Sequence, residues 1–421
     1  MDEVVVASYL IESFLPIRKA AEALANEQST GTFVPLANET HALRQSFAAR
    51  VLDVQSLPPG DRPPLPGAGY STSPTDRPSR GIVRIAFPLH NFGPSLPNLL
   101  AAVAGNLFEL RELAAVRLLD LDLPSAFAER YPGPQFGISG TRQLMGRASG
   151  VLLGTIIKPS IGLPLDRLRA VVRELALADI DFIKDDELTA NPPHAPFAAR
   201  VAAVSEELDR VAQHTGRKAM YAFNITDDID RLVANHDLVA NSGGTAVMVC
   251  VNLIGLAGLA HLRRHSELPI HGHRAMVGLY TRDPQLGIDF VAFQKLARLA
   301  GVDHLHTNGI GNKFYESDQD VMTSIQAVQQ PLWGGYFTLP VLSSGQVPGL
   351  APQTFELLGT TDLLILAGGG IHGHPDGPAA GVEAMREAWS CAIRGSDLAE
   401  AAVQNGPLRR SLDTFGYGSR G

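Results

Sequence analysis

DFIKDDE, running from Asp181 to Glu187, sets a lysine and three carboxylates directly behind an apolar pair, Phe182 and Ile183. In an extended chain successive side chains alternate faces, so Lys184 and Asp186 share one face and Glu187 follows where a strand gives way to a loop. Neighbouring carboxylates repel unless a cation separates them, and hard oxygen ligands suit Mg²⁺. One strand–helix unit upstream, GTIIKPSIG (Gly154–Gly162) likewise ends an apolar run on a lysine, Lys158. Six more apolar runs follow: KAMYAFNIT, AVMVCVNLIG, PIHGHRAMVG, DHLHTNGIG, FTLPVLSSG and LLILAGGGIHG. Helix-like segments such as LDRLRAVVRELALAD and FAARVAAVSEELDRVAQHTG separate them. Eight such units predict an α/β chain whose residues 136–421 form a (β/α)₈ barrel with a C-terminal helical tail. Nearly every polar cluster falls at the C-terminal end of one of these runs, the end at which barrel enzymes build their sites.

Residues 1–135 read differently. VVVASYLIESF, GIVRIAFPL and AVRLLDLDLP predict strands, and PIRKAAEALANEQS and LPNLLAAVAGNLFE predict helices, giving a mixed α+β domain. The Pro- and Gly-rich stretch from Leu57 to Gly81 predicts an exposed loop within it, and YPGPQFGISG (Tyr131–Gly140) the interdomain connection. At 421 residues, 45% hydrophobic and 19% charged, the chain can bury a large core in about two domains. No apolar run is long enough to span a bilayer and the start lacks a basic segment with a cleavage site, so the chain reads as cytoplasmic, without a membrane partner. Two cysteines, Cys250 in an apolar run and Cys391 in a helical one, read as buried thiols. A net charge of −8 with no basic-aromatic stripe argues against nucleic acid, and leaves room for a phosphorylated substrate held by a few focused cations.

These motifs resemble the RuBisCO large-chain family, and in particular its RuBisCO-like (form IV) members, from Glu27 to about Gly381. The resemblance implies a ferredoxin-like N-terminal domain and a site in which Lys184 reacts with CO₂ to give a carbamate that holds Mg²⁺ together with Asp186 and Glu187. It implies acid/base roles for Lys158, at the first lysine of a K-P-K triplet that here reads KPS, and for His273. Lys313 matches the lysine of the loop over the substrate, and Arg274, His306, Ser343, Gly345, Gly368 and Gly369 match the groups that hold the substrate's anionic ends. Glu27, Thr32, Phe33 (in place of a tryptophan) and Asn106 match first-domain residues that reach a partner subunit's site, which implies a homodimer or a larger assembly built from dimers. His372 and His374 in GIHGHPDG have metal-like spacing, but the oxygen site already present makes loop histidines the better reading.

The departures point away from CO₂ fixation. Ser160 stands where the family's second lysine takes part in enolisation and carboxylation, Val277 where a histidine is expected, and Asn312 where a glycine precedes the loop lysine. What remains suits an enolate-forming enzyme. The first expectation is a Mg²⁺-dependent decarboxylase, or transcarboxylase/hydrolase, of a 3-oxo sugar acid phosphate such as 3-oxo-isoapionate 4-phosphate. A methionine-salvage enolase or isomerase acting on a methylthio-sugar phosphate is the alternative. A catalytically inactive scaffold is the third, opposed by the retention of costly charged groups.

Overall fold

The computed structural model describes residues 3–31, 36–69, 71 and 76–417. It divides into two compact units, Met1–Pro132 with Met276–Leu299, and Gly133–Ala275 with Ala300–Gly421. The first unit holds β1 (Val4–Ser13), β2 (Arg50–Leu57), β3 (Ser79–Pro88) and β4 (Ala115–Asp122), with helix Ile17–Glu27 after β1 and helix Leu96–Ala104 after β3. These four strands pair antiparallel in the order β4-β1-β3-β2, the ferredoxin-like arrangement. Alternation along β1 buries Val5, Ala7, Tyr9 and Ile11 on one face, and the helix answers with Ile17, Ala20, Ala21, Leu24 and Ala25, one stripe of 3.6-residue spacing. The sequence reading gives no strand at β2, and the reason is its place: it is the sheet's edge, none of its residues is buried, and it carries no alternating apolar signal.

The second unit is a closed ring of eight parallel strands. In chain order they are β5 (Leu152–Ile156), β6 (Phe182–Lys184), β7 (Met220–Asn224), β8 (Ala246–Cys250) and β9 (Ile270–His273) and, after an excursion through β10 (Leu286–Ile288), β11 (His304–His306), β12 (Leu339–Leu342) and β13 (Leu364–Leu366). The ring closes where β13 pairs with β5, Leu364 opposite Leu152. All eight coincide with the runs the sequence predicts. Leu152, Phe182, Met220, Ala222, Met248, Val341 and Leu366 fill the interior, joined by Met145 from helix Gly137–Met145. That helix already starts inside the expected interdomain connection, whose other end, Tyr131, is buried in the first unit with its hydroxyl accepting from Leu96 N at 2.9 Å.

Residues 276–299 lie inside the span read as barrel, yet they pack into the first unit. There β10 extends the sheet, running parallel to β4 with Leu286 opposite Val116. Arg117 on β4 fastens the segment by donating to the carbonyls of Asp283 and Thr281 at 2.5 and 3.0 Å and to the Asp289 carboxylate at 3.0 Å. A strand of three residues carries too short a pattern to announce this pairing.

Three of the barrel strands are only three residues long, and two of these, β6 and β11, begin directly after a buried aspartate. Asp181 precedes β6; it accepts from Leu153 N on β5 at 2.8 Å and pairs with Arg147, Arg217 and Arg386. Asp303 precedes β11; it accepts from Ile270 N on β9 at 2.8 Å and pairs with Arg263 at 2.9 Å. Both cysteines are buried and free, as expected. No helix among the described residues is long and apolar enough to cross a membrane.

Candidate active site at the C-terminal ends of the barrel strands

At the tip of β6 the three consecutive acids diverge in role. Lys184 is fully buried, its Nζ donating to Asp185 O at 2.8 Å and standing 3.6 Å from Glu187 Oε2. Burial lowers its pKa, against the opposing pull of Glu187 and Asp186, and so favours the neutral amine. Asp185 turns into the protein, where its carboxylate accepts from Arg200 Nε at 3.1 Å, the Tyr221 hydroxyl at 2.6 Å and Asn224 N at 2.9 Å. Asp186 accepts from Lys158 Nζ at 2.8 Å and Leu188 N at 3.1 Å. Burial alone would raise its pKa, but those hydrogen bonds and the Lys158 charge outweigh it and hold the carboxyl below its ordinary value. Glu187 is held low in the same way, burial being overcome by His273 and Lys184.

Lys158, at the end of β5, also donates to Ser160 Oγ at 2.7 Å, so the residue that replaces the second lysine has become a partner of the first. A Cβ on Gly368 would lie 3.6 Å from Lys158 Cε, which puts the glycines after β13 beside this lysine. His273 at the tip of β9 accepts from Ala275 N at 3.1 Å through Nδ1, leaving its proton on Nε2, 3.5 Å from Glu187. Burial and the nearby Lys184 push it down to about 4, so it is neutral near pH 7.

Behind His273, three buried histidines from β9 and β11 form a chain whose tautomers their partners fix. The Thr141 hydroxyl donates to Gly137 O at 2.5 Å and therefore accepts from His304 Nε2 at 2.8 Å. His304 Nδ1 then accepts from His271 Nδ1 at 3.4 Å, and His271 Nε2 from His306 Nε2 at 2.8 Å. His306 Nδ1 is left to accept the Ser343 hydroxyl at 3.1 Å. Burial pushes His304 down to about 3 and holds His271 and His306 well below the usual range, so all three are neutral. His306 therefore faces Ser343 as an acceptor and brings no positive charge to the site.

Arg274, one residue past β9, is engaged by Glu316, with Nη1 donating to Oε1 at 3.1 Å and Nη2 to Oε2. Glu316 takes a further hydrogen bond from Asn308 Nδ2, and Asn308 Oδ1 accepts from Ser344 Oγ at 2.7 Å. Ser344 O accepts from Lys313 N at 3.0 Å, and a Cβ on Gly345 would lie 3.9 Å from Lys313 Cβ. The barrel thus gathers Lys158, Lys184, Asp186, Glu187 and His273 in one linked group, with Gly368 beside Lys158. It gathers His306, Ser343, Gly345, Arg274 and Lys313 in another. Gly369 begins the one-turn helix Gly369–His372. Glu27, exposed at the end of its helix, and Asn106, exposed at the start of a 3₁₀ turn, belong to the first unit, and Thr32 and Phe33 lie outside the described residues.

Asp185, His271, His304, Asn308, Ser344 and Glu316 escape the sequence reading. The histidines carry a usable signal, since HGH and HLH at period two put each pair on one strand face. Glu316 carries a weaker one, the need of a buried guanidinium for an anion. His374 is satisfied by the backbone, its Nε2 donating to Pro407 O at 2.9 Å and its Nδ1 accepting from Asp376 N. His372 ends a one-turn helix rather than lying in a loop. His236, Asp237 and His265 bring one potential ligand atom each within 4.8 Å of one another. His236 Nε2, however, accepts from Glu267 N at 3.2 Å, so its proton sits on Nδ1, toward Asp237, and the trio is a hydrogen-bonded cluster rather than a metal centre.

Residues 2–127 match the family model for the N-terminal domain of the ribulose bisphosphate carboxylase large chain, and residues 137–415 that for its catalytic domain. A 3-oxo-isoapionate-4-phosphate transcarboxylase/hydrolase of Xanthobacter autotrophicus is 50% identical, across 98% of this chain and 99% of that protein. A 3-oxo-isoapionate-4-phosphate decarboxylase of Rhizobium rhizogenes is 41% identical over 98% and 99%. The crystal structure of a rubisco-like protein from Burkholderia fungorum superposes with a TM-score of 0.91 at 41% identity, covering 98% of this chain and 100% of that one.

Proposed function

The chain belongs to the ribulose bisphosphate carboxylase large-chain family, and from that membership we propose that it is a carbon–carbon lyase that decarboxylates a phosphorylated 3-oxo sugar acid, 3-oxo-isoapionate 4-phosphate, and does not fix CO₂. The substrate follows from the relatives that bear its name. The observation that carries the chemistry is the pairing of Lys158 with Ser160 and Asp186. Carboxylation in this family draws on a second lysine, and a serine has neither its charge nor its reach. Decarboxylation of a 3-oxo acid makes no such demand. The bond to the carboxylate breaks, CO₂ leaves, and the electron pair remains as an enolate without a base having removed a carbon-bound proton. The Lys158 ammonium then delivers a proton to that carbon, with Ser160 and Asp186 fixing the Nζ that delivers it.

Lys184, Asp186 and Glu187 fit a Mg²⁺ site. Two carboxylates held below their ordinary pKa supply oxygen ligands, and a buried lysine whose pKa burial lowers reaches more readily the neutral amine, the form that adds CO₂ to become a carbamate. Bound there, Mg²⁺ would supply Lewis-acid stabilisation of negative charge on the ketone oxygen. The neutral Nε2–H of His273 serves as a hydrogen-bond donor toward the same region. Arg274 is the cation for the substrate's phosphate, with Ser343 its polar neighbour, while Lys313 and the Gly368-Gly369 backbone serve a second anionic end. Glu27, Thr32, Phe33 and Asn106 act on the site of a partner chain in a homodimer.

A transcarboxylase/hydrolase outcome is the second reading, favoured by the higher identity, 50% against 41%, of the relative with that name. The two differ in the fate of one carbon. Substrate labelled with ¹³C in the carboxylate releases the label as CO₂ in a decarboxylase and keeps it in an acid product in a transcarboxylase/hydrolase. Turnover of a methylthio-sugar phosphate with solvent deuterium exchange, and none of the 3-oxo acid, would overturn both.

A further inference from the structure

Glu316 has no part in the function above, yet it occupies both terminal nitrogens of the cation to which the phosphate is assigned. The pair is nearly enclosed, with side chains 9% and 6% exposed, and it is bidentate, the geometry a guanidinium also offers a phosphate. The same carboxylate holds Asn308 Nδ2, and Asn312 Nδ2 donates to Glu316 O at 3.1 Å, so the glutamate pins the loop from which Lys313 projects. Phe314 and Tyr315, between Lys313 and Glu316, are 57% and 41% exposed.

We propose that Glu316 is a resident stand-in for the substrate's phosphate on Arg274. The arriving phosphate takes both guanidinium positions, Glu316 leaves, and the loop carrying Lys313 is released by the same exchange. Glu316 is thus a positioning residue for Lys313 and sets the affinity threshold an anion must exceed to be held. A monoanion such as a carboxylate gains little by exchanging with another carboxylate, whereas a phosphate brings more charge and a third oxygen, so the exchange selects phosphorylated substrates.

The proposal rests on the assignment of Arg274 to phosphate, and inorganic phosphate tests the two separately. Calorimetric titration of the purified full chain, Glu316→Gln and Arg274→Ala with inorganic phosphate is expected to show roughly tenfold tighter binding in Glu316→Gln, because the competing charge is gone, and loss of that binding component in Arg274→Ala. Glu316→Asp, too short to span both nitrogens, shifts affinity the same way by less and serves if the glutamine variant does not fold. Chymotrypsin gives a readout without any substitution: phosphate is expected to accelerate cleavage after Phe314 and Tyr315 in the unmodified chain. Unchanged or weaker phosphate binding in folded Glu316→Gln or Glu316→Asp, or phosphate that fails to speed the cut, overturns the exchange while leaving Arg274 as the phosphate group. Full phosphate binding in Arg274→Ala overturns the assignment beneath it.

Discussion

Lowering the pH from 7 to 5 tests the neutral histidine chain inside the barrel. In the unfolded chain a histidine titrates near 6.5, while in the fold burial holds His304 to about 3 and keeps His271 and His306 well below their usual value. The folded pKa values are depressed, so below 6.5 the unfolded state binds more protons, and the contribution to stability present at neutral pH is lost as the pH falls. With the folded form still neutral at pH 5, each histidine costs about 2 kcal/mol over this interval, and the three together about 6 kcal/mol. That is comparable to the whole stability of an ordinary domain, about 5–15 kcal/mol. Asp186 and Glu187, held below 3.8 and 4.5, remain ionised in this range and do not blur the effect. Urea unfolding followed by far-ultraviolet circular dichroism at pH 7, 6 and 5 reads the loss directly. His304→Gln removes one titrating group, so its loss between pH 7 and 5 is expected to be smaller by about 2 kcal/mol, whatever the substitution costs at pH 7. A stability that stays flat from pH 7 to 5, or an equal slope in His304→Gln, would refute the neutral chain.

Lys184→Met is expected to abolish turnover while matching or exceeding the parent's unfolding free energy in CO₂-free, metal-free buffer, since it removes a buried amine and keeps the volume; a clear loss of stability would contradict the burial argument. Asp185→Ala, which strips the buried Arg200 of its carboxylate, is expected to cost about 3–5 kcal/mol in chemical denaturation, and a cost below 1 kcal/mol would rule out the structural role given to the middle acid. Activity is expected to rise on preincubation with CO₂ and Mg²⁺, and full activity after rigorous removal of both would defeat the assignment of Lys184, Asp186 and Glu187. Mixing inactive Glu27→Gln with inactive Lys184→Ala chains is expected to recover activity, because heterodimers keep one intact site; no recovery after verified subunit exchange would argue against a shared site.

The barrel was legible because its strands sit in apolar runs at regular spacing and each run ends in a polar signal, from KP after β5 to the glycines after β13. The ferredoxin-like sheet was legible where one face is buried and lost at β2, whose side chains meet solvent. The excursion to β10 was hidden for another reason: three residues cannot display a period, and the pairing is decided by Arg117, far away in the chain. In the site, the residues of KDDE were found by adjacency, but adjacency cannot say which acid turns inward, and Tyr221, Asn224 and Arg200 are what claim Asp185. Glu316 was missed because its partner lies 42 residues away, and only the fold brings a guanidinium and a carboxylate of that separation together.

The aspartates that precede β6 and β11 give the catalytic geometry a weakness at a distance. A strand rises about 3.3 Å per residue, so Lys184 stands only about 10 Å above Asp181, and His306 equally near Asp303. Over so short a rod there is no slack in which an error at the foot can dissipate, and a displacement at the Asp181 or Asp303 anchor reaches the tip nearly undiminished. Substitutions among Arg147, Arg217, Arg386 or Arg263, which pair with these aspartates at the opposite end of the strands from Lys184 and His306, would then register as lost catalytic precision before they registered as lost fold. In a screen of variants for activity, the floor of this barrel would read as though it were lined with catalytic residues.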